Sequence, residues 1–440
     1  MYHVTENIER ISHRIKNTNL IRQSGVVESV IGTIVEATGP AVTIGEQLII
    51  ENPDHPESHI IAEAVGFSKG KVLLMPLGEM DGISPGAQVS SAGRLLSVPV
   101  GDELLGRVVD SLGNPLDNLG PIYATQSRPL NCQPPNPLKR KRITEALYTR
   151  IRAIDCMMTC GKGQRVGIYS GSGVGKSTLL GMIARSSEAD VNVIGLIGER
   201  GREVRDFIEK DLGPEGLSRS VLVVATSDKA PLLRVKGALA ATAIAEYFRD
   251  SGRNVVLMID SLTRIGMAQR EIGLAIGEPP TTKGYTPSVF SFFPRLLERA
   301  GSCEQGSITG YYTVLVEGDD INDPIADSTR AILDGHIMLS RDIAARNHYP
   351  AIDISGSLSR LMTDVADKEH RDLAGKARRL LADYARSEDL INIGAYVKGS
   401  SPKIDYAMER IEPLNAFLSQ AVEEKADFQE SLTRLRAILS

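Results

Sequence analysis

The sequence predicts an α/β protein: a small β-barrel, then a largely parallel sheet flanked by helices, then a helical C-terminal domain. Three observations carry this. From about Gly25 to Gly93, β-rich runs such as VVESVIGTIVEATGPAV and AEAVGFSKGKVLLMPL are broken by glycine, proline and acidic turns, the rhythm of short strands in a small barrel. From Gly161 to about Arg360, the apolar runs QRVGIYS, NVIGLIGE, SVLVVATS, NVVLMIDS, SITGYYTVLVE and HIMLSR alternate with helical patterns, as parallel strands joined by helices do. After Leu361 the glycines thin out, and RDLAGKARRLLADYARSEDL has heptad-like apolar positions, which suits a helical domain.

In order, the parts divide at 1–24, 25–94, 95–365 and 366–440. In the first, Val4, Ile8, Ile11 and Ile15 share one helical face, while Glu6, Glu9, Arg10, Arg14 and Lys16 point elsewhere. Two readings stand for it: a helix docked on its own domain, or an amphipathic arm for a partner helix or a membrane surface. The barrel stretch offers no nucleophile–base pair and no metal cluster. The proline-rich NCQPPNPLKRKR leads into the central domain, and its basic cluster Lys139 to Arg142 reads as a solvated linker rather than a phosphate patch.

Composition narrows the function classes. At 440 residues, with 42% hydrophobic and 24% charged, the chain has the balance of a multidomain globular protein. A net charge of -5 supplies no overall basic field for nucleic acid, so none is expected as a partner. Cys132, Cys156, Cys160 and Cys303 form no C-x-x-C pair and fit a reducing compartment. No apolar run reaches the roughly 18 residues of a membrane span, and MYHVTENIERISHRIKNTNL lacks the apolar core of a signal peptide. A cytoplasmic location is expected.

The strongest chemical signal is QRVGIYSGSGVGKSTLLGMIARS. A strand over Val166 to Tyr169 runs into Ser170, Gly171, Ser172, Gly173, Val174 and Gly175, and Lys176, Ser177 and Thr178 open a helix. Glycines let backbone N–H groups turn inward around an anion, and the helix N-terminus adds its positive dipole. Lys176 can reach the β- and γ-phosphates of a nucleoside triphosphate, and the Ser177 hydroxyl can ligate magnesium. The strict phosphate-loop pattern has glycine where this chain has Ser170, which still presents a backbone N–H.

Two further strand ends complete a candidate site. RNVVLMIDS ends an apolar strand in Asp260, the position at which phosphate-loop folds hold magnesium. LIGERGREV follows another apolar strand, and Glu199 there is the candidate for orienting the attacking water. Glu203 is assigned to the magnesium side or to support, and Arg200 to the γ-phosphate. Three charges directly after a buried strand favour a site over a surface turn.

Together SGSGVGKST, GLIGERGREV, MIDSLTR, AQREIGLAIGEPPTTKGYTPSVF, EGDDINDPIADSTRAILDGHIMLSR and HYPAIDISGSLSR resemble the type III protein-export ATPases, and most of all the flagellar ones. A wider kinship is to the catalytic β subunit of rotary ATP synthases. The resemblance runs from about Gly25 to the C-terminus. It implies a RecA-like ATPase core using ATP and Mg2+, with Lys176, Ser177, Glu199, Arg200 and Asp260 in the roles above. It adds Arg264 near the nucleotide, Tyr349 on the adenine, and Arg360 as an arginine finger reaching a neighbouring subunit's nucleotide. It further implies a homohexameric ring and a peripheral position at the inner face of the cytoplasmic membrane. The implied partners are a stator-like protein at the N-terminal arm, a central stalk, export-gate proteins, and chaperones with their cargo. The loop EGDDINDPIAD is expected beside the nucleotide or between subunits. A virulence export ATPase shares all these motifs. A non-catalytic ring subunit is disfavoured by Glu199, and an RNA motor by the acidic balance.

Overall fold

The computed structural model describes residues 23–51, 59–316 and 323–440. Six strands form the barrel: β1 (Ser24–Ile31), β2 (Ile34–Thr38), β3 (Glu46–Glu51), β4 (His59–Ser68), β5 (Lys71–Pro76) and β6 (Gln88–Leu95). Their order is β1-β2-β5-β4-β3-β6, closed by pairing of β6 with β1. Closure leaves no free edge. Alternate residues, among them Val27, Val35, Leu48, Ile50, Leu74 and Val89, fill the interior. The arm expected over residues 1–24 lies outside the described residues except for its last two positions.

Contacts divide the chain into a barrel unit through Leu96, joined by Ala275–Glu278, and a second unit of Ser97–Leu274 and Pro279–Ser440. The second unit is built on a sheet whose main path has eight strands: β7 (Val108–Val109), β8 (Arg165–Ser170), β9 (Val191–Ile197), β10 (Ser220–Ala225), β11 (Asn254–Asp260), β12 (Ser307–Leu315), β13 (Gly335–Leu339) and β14 (Ile352–Ser359). The order is β14-β13-β8-β12-β11-β9-β10-β7, parallel throughout except for β14 against β13. The six runs read as strands are strands. Every residue of β9 and β10 is buried, as in a sheet covered on both faces. β14 escaped the sequence reading because IDISGSLS is half polar and contains glycine; it exists by pairing at an edge.

Helix α1 (Arg152–Met157) lies between β7 and β8 in the chain, and α2 (Lys176–Ser186), α3 (Gly201–Asp206), α4 (Pro231–Asp250), α5 (Leu262–Ala275) and α6 (Pro287–Leu297) connect the later strands. α4 runs along β9, β10 and β11 and is alanine-rich where it touches them: a Cβ on Gly237 would lie 2.8 Å from Ile197 Cδ1. Small side chains let the helix approach closely. The last three helices, α7 (Lys368–Asn392), α8 (Pro402–Leu418) and α9 (Phe428–Leu439), pack on one another and on α1. Buried Arg152 ties them down by donating to the carbonyls of Phe417 and Ser419 and pairing with Glu424.

One expectation is corrected. The cluster Lys139 to Arg142 is not simply a solvated linker, because Arg140 docks at the end of α6. It donates to the Ala300 carbonyl at 2.7 Å, to the Glu298 carbonyl, and to Glu298 Oε2 at 3.3 Å. The helix C-terminus has unsatisfied carbonyls that a guanidinium can serve. Among the described residues no helix is long and apolar enough to cross a membrane.

Candidate active site

The chemistry-bearing residues collect at the C-terminal ends of the parallel strands. β8 delivers the glycine-rich loop, β9 is followed two residues later by Glu199, and β11 ends in Asp260. Ligands of open α/β sheets bind beyond this edge. In the loop Gly173 and Gly175 have φ of 79° and 95°, the left-handed region that glycine adopts without strain. Gly175 is the N-cap of α2, so the free N–H groups of the helix start face the loop's concave side. A cleft of about 980 Å³ opens here. Gly171, Ser172, Gly173, Lys176, Ser177 and Thr178 line it on one side, and Glu199, Arg200, Glu203 and Arg264 on the other.

Charge is concentrated at its floor. Lys176 Nζ contacts Asp260 Oδ1 and lies 3.5 Å from Glu199 Oε1. Asp260 is buried, and Thr313 Oγ1 also donates to its Oδ1 at 2.7 Å. Arg264 donates to the Gly198 carbonyl and stands 3.3 Å from Glu199 Oε2. Burial pushes the Glu199 carboxyl up to about 7, helped by the neighbouring Glu203 carboxylate and the Asp260 charge against the pull of Lys176 and Arg264. Glu203 is held lower by its hydrogen bond with Glu199. Glu199 Oε1 is buried without a hydrogen-bond partner. An orphaned buried acceptor is costly, and here it faces a cleft.

The remaining candidates divide. Arg200 caps α3 at the cleft wall, largely exposed and 3.8 Å from Glu203. The Tyr349 ring is exposed and close to the loop, for a Cβ on Gly175 would lie 3.8 Å from its Cδ1. Val174 is buried in the core, so only its backbone can serve a ligand. Ser170 closes β8 with its hydroxyl buried and unpartnered, and lines a separate cavity of about 190 Å³. Arg360 is not in the cleft. It follows β14, the strand that runs the other way, and its N–H donates to the Asp334 carbonyl at the opposite end of the sheet. Of the loop EGDDINDPIAD, residues 317–322 lie outside the described residues; Asp323 lines the cleft.

Sequence reasoning missed Thr313, Arg270 and Arg341. Thr313 is one of three buried serines and threonines of β12, with Ser307 and Thr309, and what singles it out is visible only once β12 is known to neighbour β11. Arg270 and Arg341 line the cleft and stood in the motif strings without a role.

Known proteins share this architecture. The model of the ATP synthase alpha/beta family nucleotide-binding domain matches residues 150–359, that family's beta-barrel domain matches 27–93, and the T3SS EscN ATPase C-terminal domain matches 366–437. The flagellum-specific ATP synthase of Bacillus subtilis is 54% identical over 430 residues, covering 96% of this chain and 97% of the relative. The chain belongs to the flagellum-specific and type III secretion ATPase family. The family's type 3 secretion system ATPase from Xanthomonas euvesicatoria is 51% identical, covering 95% of this chain and 94% of its own. Among solved members, assembled EscN from the type III secretion system of enteropathogenic E. coli superposes with a TM-score of 0.89 at 44% identity, covering 94% of this chain and all of that one. EscN has also been solved in complex with its central stalk EscO. Lys176, Glu199, Asp260 and Arg264 all fall within the family's nucleotide-binding stretch.

Proposed function

We propose that this protein hydrolyses ATP as one subunit of a homohexameric ring and that the energy drives type III protein export, in the flagellar system. The observation that carries the reading is the placement of Lys176, Glu199 and Asp260 at one end of the sheet and Arg360 at the other. β8 has six residues, so at about 3.3 Å per residue the two ends lie on the order of 17 Å apart. Arg360 therefore serves a second copy's cleft rather than its own. Identical copies each offering a loop and a guanidinium meet head to tail, a contact that closes into rings.

In this reading the loop N–H groups and Lys176 bind the triphosphate, and Lys176 leaves Asp260 for phosphate oxygens as it does so. Glu199, oriented by Arg264, accepts a hydrogen bond from the attacking water through its orphaned Oε1. Arg200 and the neighbour's Arg360 meet charge on the γ-phosphate as it transfers, and Tyr349 packs on the adenine. Magnesium fits the donor set. Among the described residues no three His, Cys, Asp or Glu side chains cluster to form a protein cage, and a nucleotide-borne ion needs only the Ser177 hydroxyl and the Asp260 carboxylate, with Glu203 nearby. When bound, magnesium neutralises phosphate charge.

The flagellar assignment follows the B. subtilis relative, and the Xanthomonas relative keeps virulence export as the second reading. By the same kinship a central stalk is proposed for the ring. Export-gate proteins, chaperones with cargo, a stator-like protein on the N-terminal arm and a place at the inner membrane face complete the proposal. The test is to replace the chromosomal copy with Glu199→Gln. The purified variant should bind ATP but not turn it over, and the cells should stop exporting flagellar subunits and lose motility. Motile cells whose loss is confined to secretion into a host would transfer the assignment to virulence export.

A further inference from the structure

The end of the sheet far from the cleft carries its own polar assembly, which the catalytic reading leaves unused. Arg165 opens β8, the strand whose other end delivers the phosphate loop. Its Nε and Nη2 donate to the two carboxylate oxygens of Asp334 at 3.0 and 3.1 Å, and its Nη1 pairs with Glu298. The Asp334 carboxylate also accepts the Arg165 N–H at 3.1 Å. The Asp334 N–H donates back to the Arg165 carbonyl at 2.8 Å, while the Asp334 carbonyl faces the other way and accepts the Arg360 N–H at 3.0 Å and Gln164 Nε2 at 3.1 Å. Gln164 in turn donates to Ser359 Oγ, which donates to the Thr159 carbonyl at 2.8 Å. The contact is tight as well as polar: a Cβ on Gly335 would lie 2.6 Å from the Leu358 carbonyl oxygen. The Arg165 and Asp334 side chains are 15% and 26% exposed, so both are largely withdrawn from water while Arg360 stands in it. Among the described residues the Arg360 guanidinium makes no ion pair.

From this we infer that the Arg165–Asp334 pair is a positioning device for Arg360, fixing the backbone from which that guanidinium reaches the neighbouring copy's cleft. The inference rests on the reading of Arg360 as a residue lent to a neighbour. A bidentate guanidinium–carboxylate pair holds its partner in a set plane, and Asp334 is bound on its carboxylate side while its carbonyl carries the finger. Without the pair the segment keeps its backbone bond from the Asp334 N–H to the Arg165 carbonyl but loses the guanidinium clamp that sets its angle, and a misplacement near 1 Å in a catalytic group costs about 10²-fold in rate.

Asp334→Asn and Arg165→Lys remove the bidentate match while keeping size or charge. Each variant should lower kcat about 10²-fold, with KM and the affinity for a fluorescent ATP analogue changed by less than about threefold, because its own loop is intact. A purely structural role would weaken nucleotide binding through β8 as well. Mixing separates the two. A Lys176→Ala copy has no working loop but an intact finger, and an Asp334→Asn copy has the converse. Their mixture should hydrolyse ATP well above the sum of the two alone, as should the control mixture of Lys176→Ala with Arg360→Ala. If the control recovers and the Asp334→Asn mixture does not, the positioning role is overturned while the Arg360 reading stands. If neither recovers, the Arg360 reading falls and takes the positioning role with it. Arg165→Lys, assayed in the same mixture, keeps the test decisive should Asp334→Asn fail to fold.

Discussion

The two ends of the parallel sheet differ in how their polar groups are satisfied. At the cleft end, Glu199 is forced up in pKa by burial, its Oε1 accepts no hydrogen bond, and Lys176 is shared between two acids. At the far end, Arg165, Asp334, Gln164 and Ser359 satisfy one another with ordinary distances. Unmet demand marks the end that awaits a ligand, and mutual satisfaction marks the end that acts as a platform. The group hung from this platform, Arg360, reaches into solvent.

The comparison breaks if its extremes respond alike. Arg360→Ala, at the satisfied end, should cost about three to five decades of turnover because a finger acts only on transition-state charge. Pre-steady-state binding of nucleotide should be unaffected, and single-turnover hydrolysis is the measurement. At the cleft end the sharpest handle is pH. Glu199 must be ionised to act as a base toward the attacking water, and burial raises its pKa to about 7. Thus kcat/KM should fall about tenfold per unit as pH drops below about 7 and level off above it. A profile flat down to pH 5 would mean that Glu199 titrates nowhere near neutrality. The smallest effect belongs to Arg140→Ala, which removes hydrogen bonds to Ala300 and Glu298 beside the platform. About 1 kcal/mol per bond should lower the melting temperature by a few degrees, readable by scanning calorimetry.

Much of this is legible in the residues alone. The barrel follows from short β-rich runs split by turn residues, the six parallel strands from apolar runs alternating with helical patterns, and the phosphate loop from backbone requirements that only glycine meets cheaply. Asp260 and Glu199 can be proposed because strand ends in such sheets converge. What local sequence does not carry is adjacency. Nothing local says that Thr313 lies against Asp260, that polar IDISGSLS pairs as an edge strand, or that Arg140 leaves its basic run to serve a helix end. The resemblance assigns Arg360 its role, and the proposal that it serves a neighbour rests on topology: an antiparallel strand carries it to the far end of its own sheet.

That reversed edge strand has a genetic consequence. In a mixed ring, a copy lacking Lys176 spoils one junction and a copy lacking Arg360 spoils a different one, on its opposite flank. A copy lacking both disables two junctions at once. At equal expression beside the normal protein, the doubly altered allele should therefore be the more dominant inhibitor of the cell's export, although in isolation the three altered proteins would look equally inert.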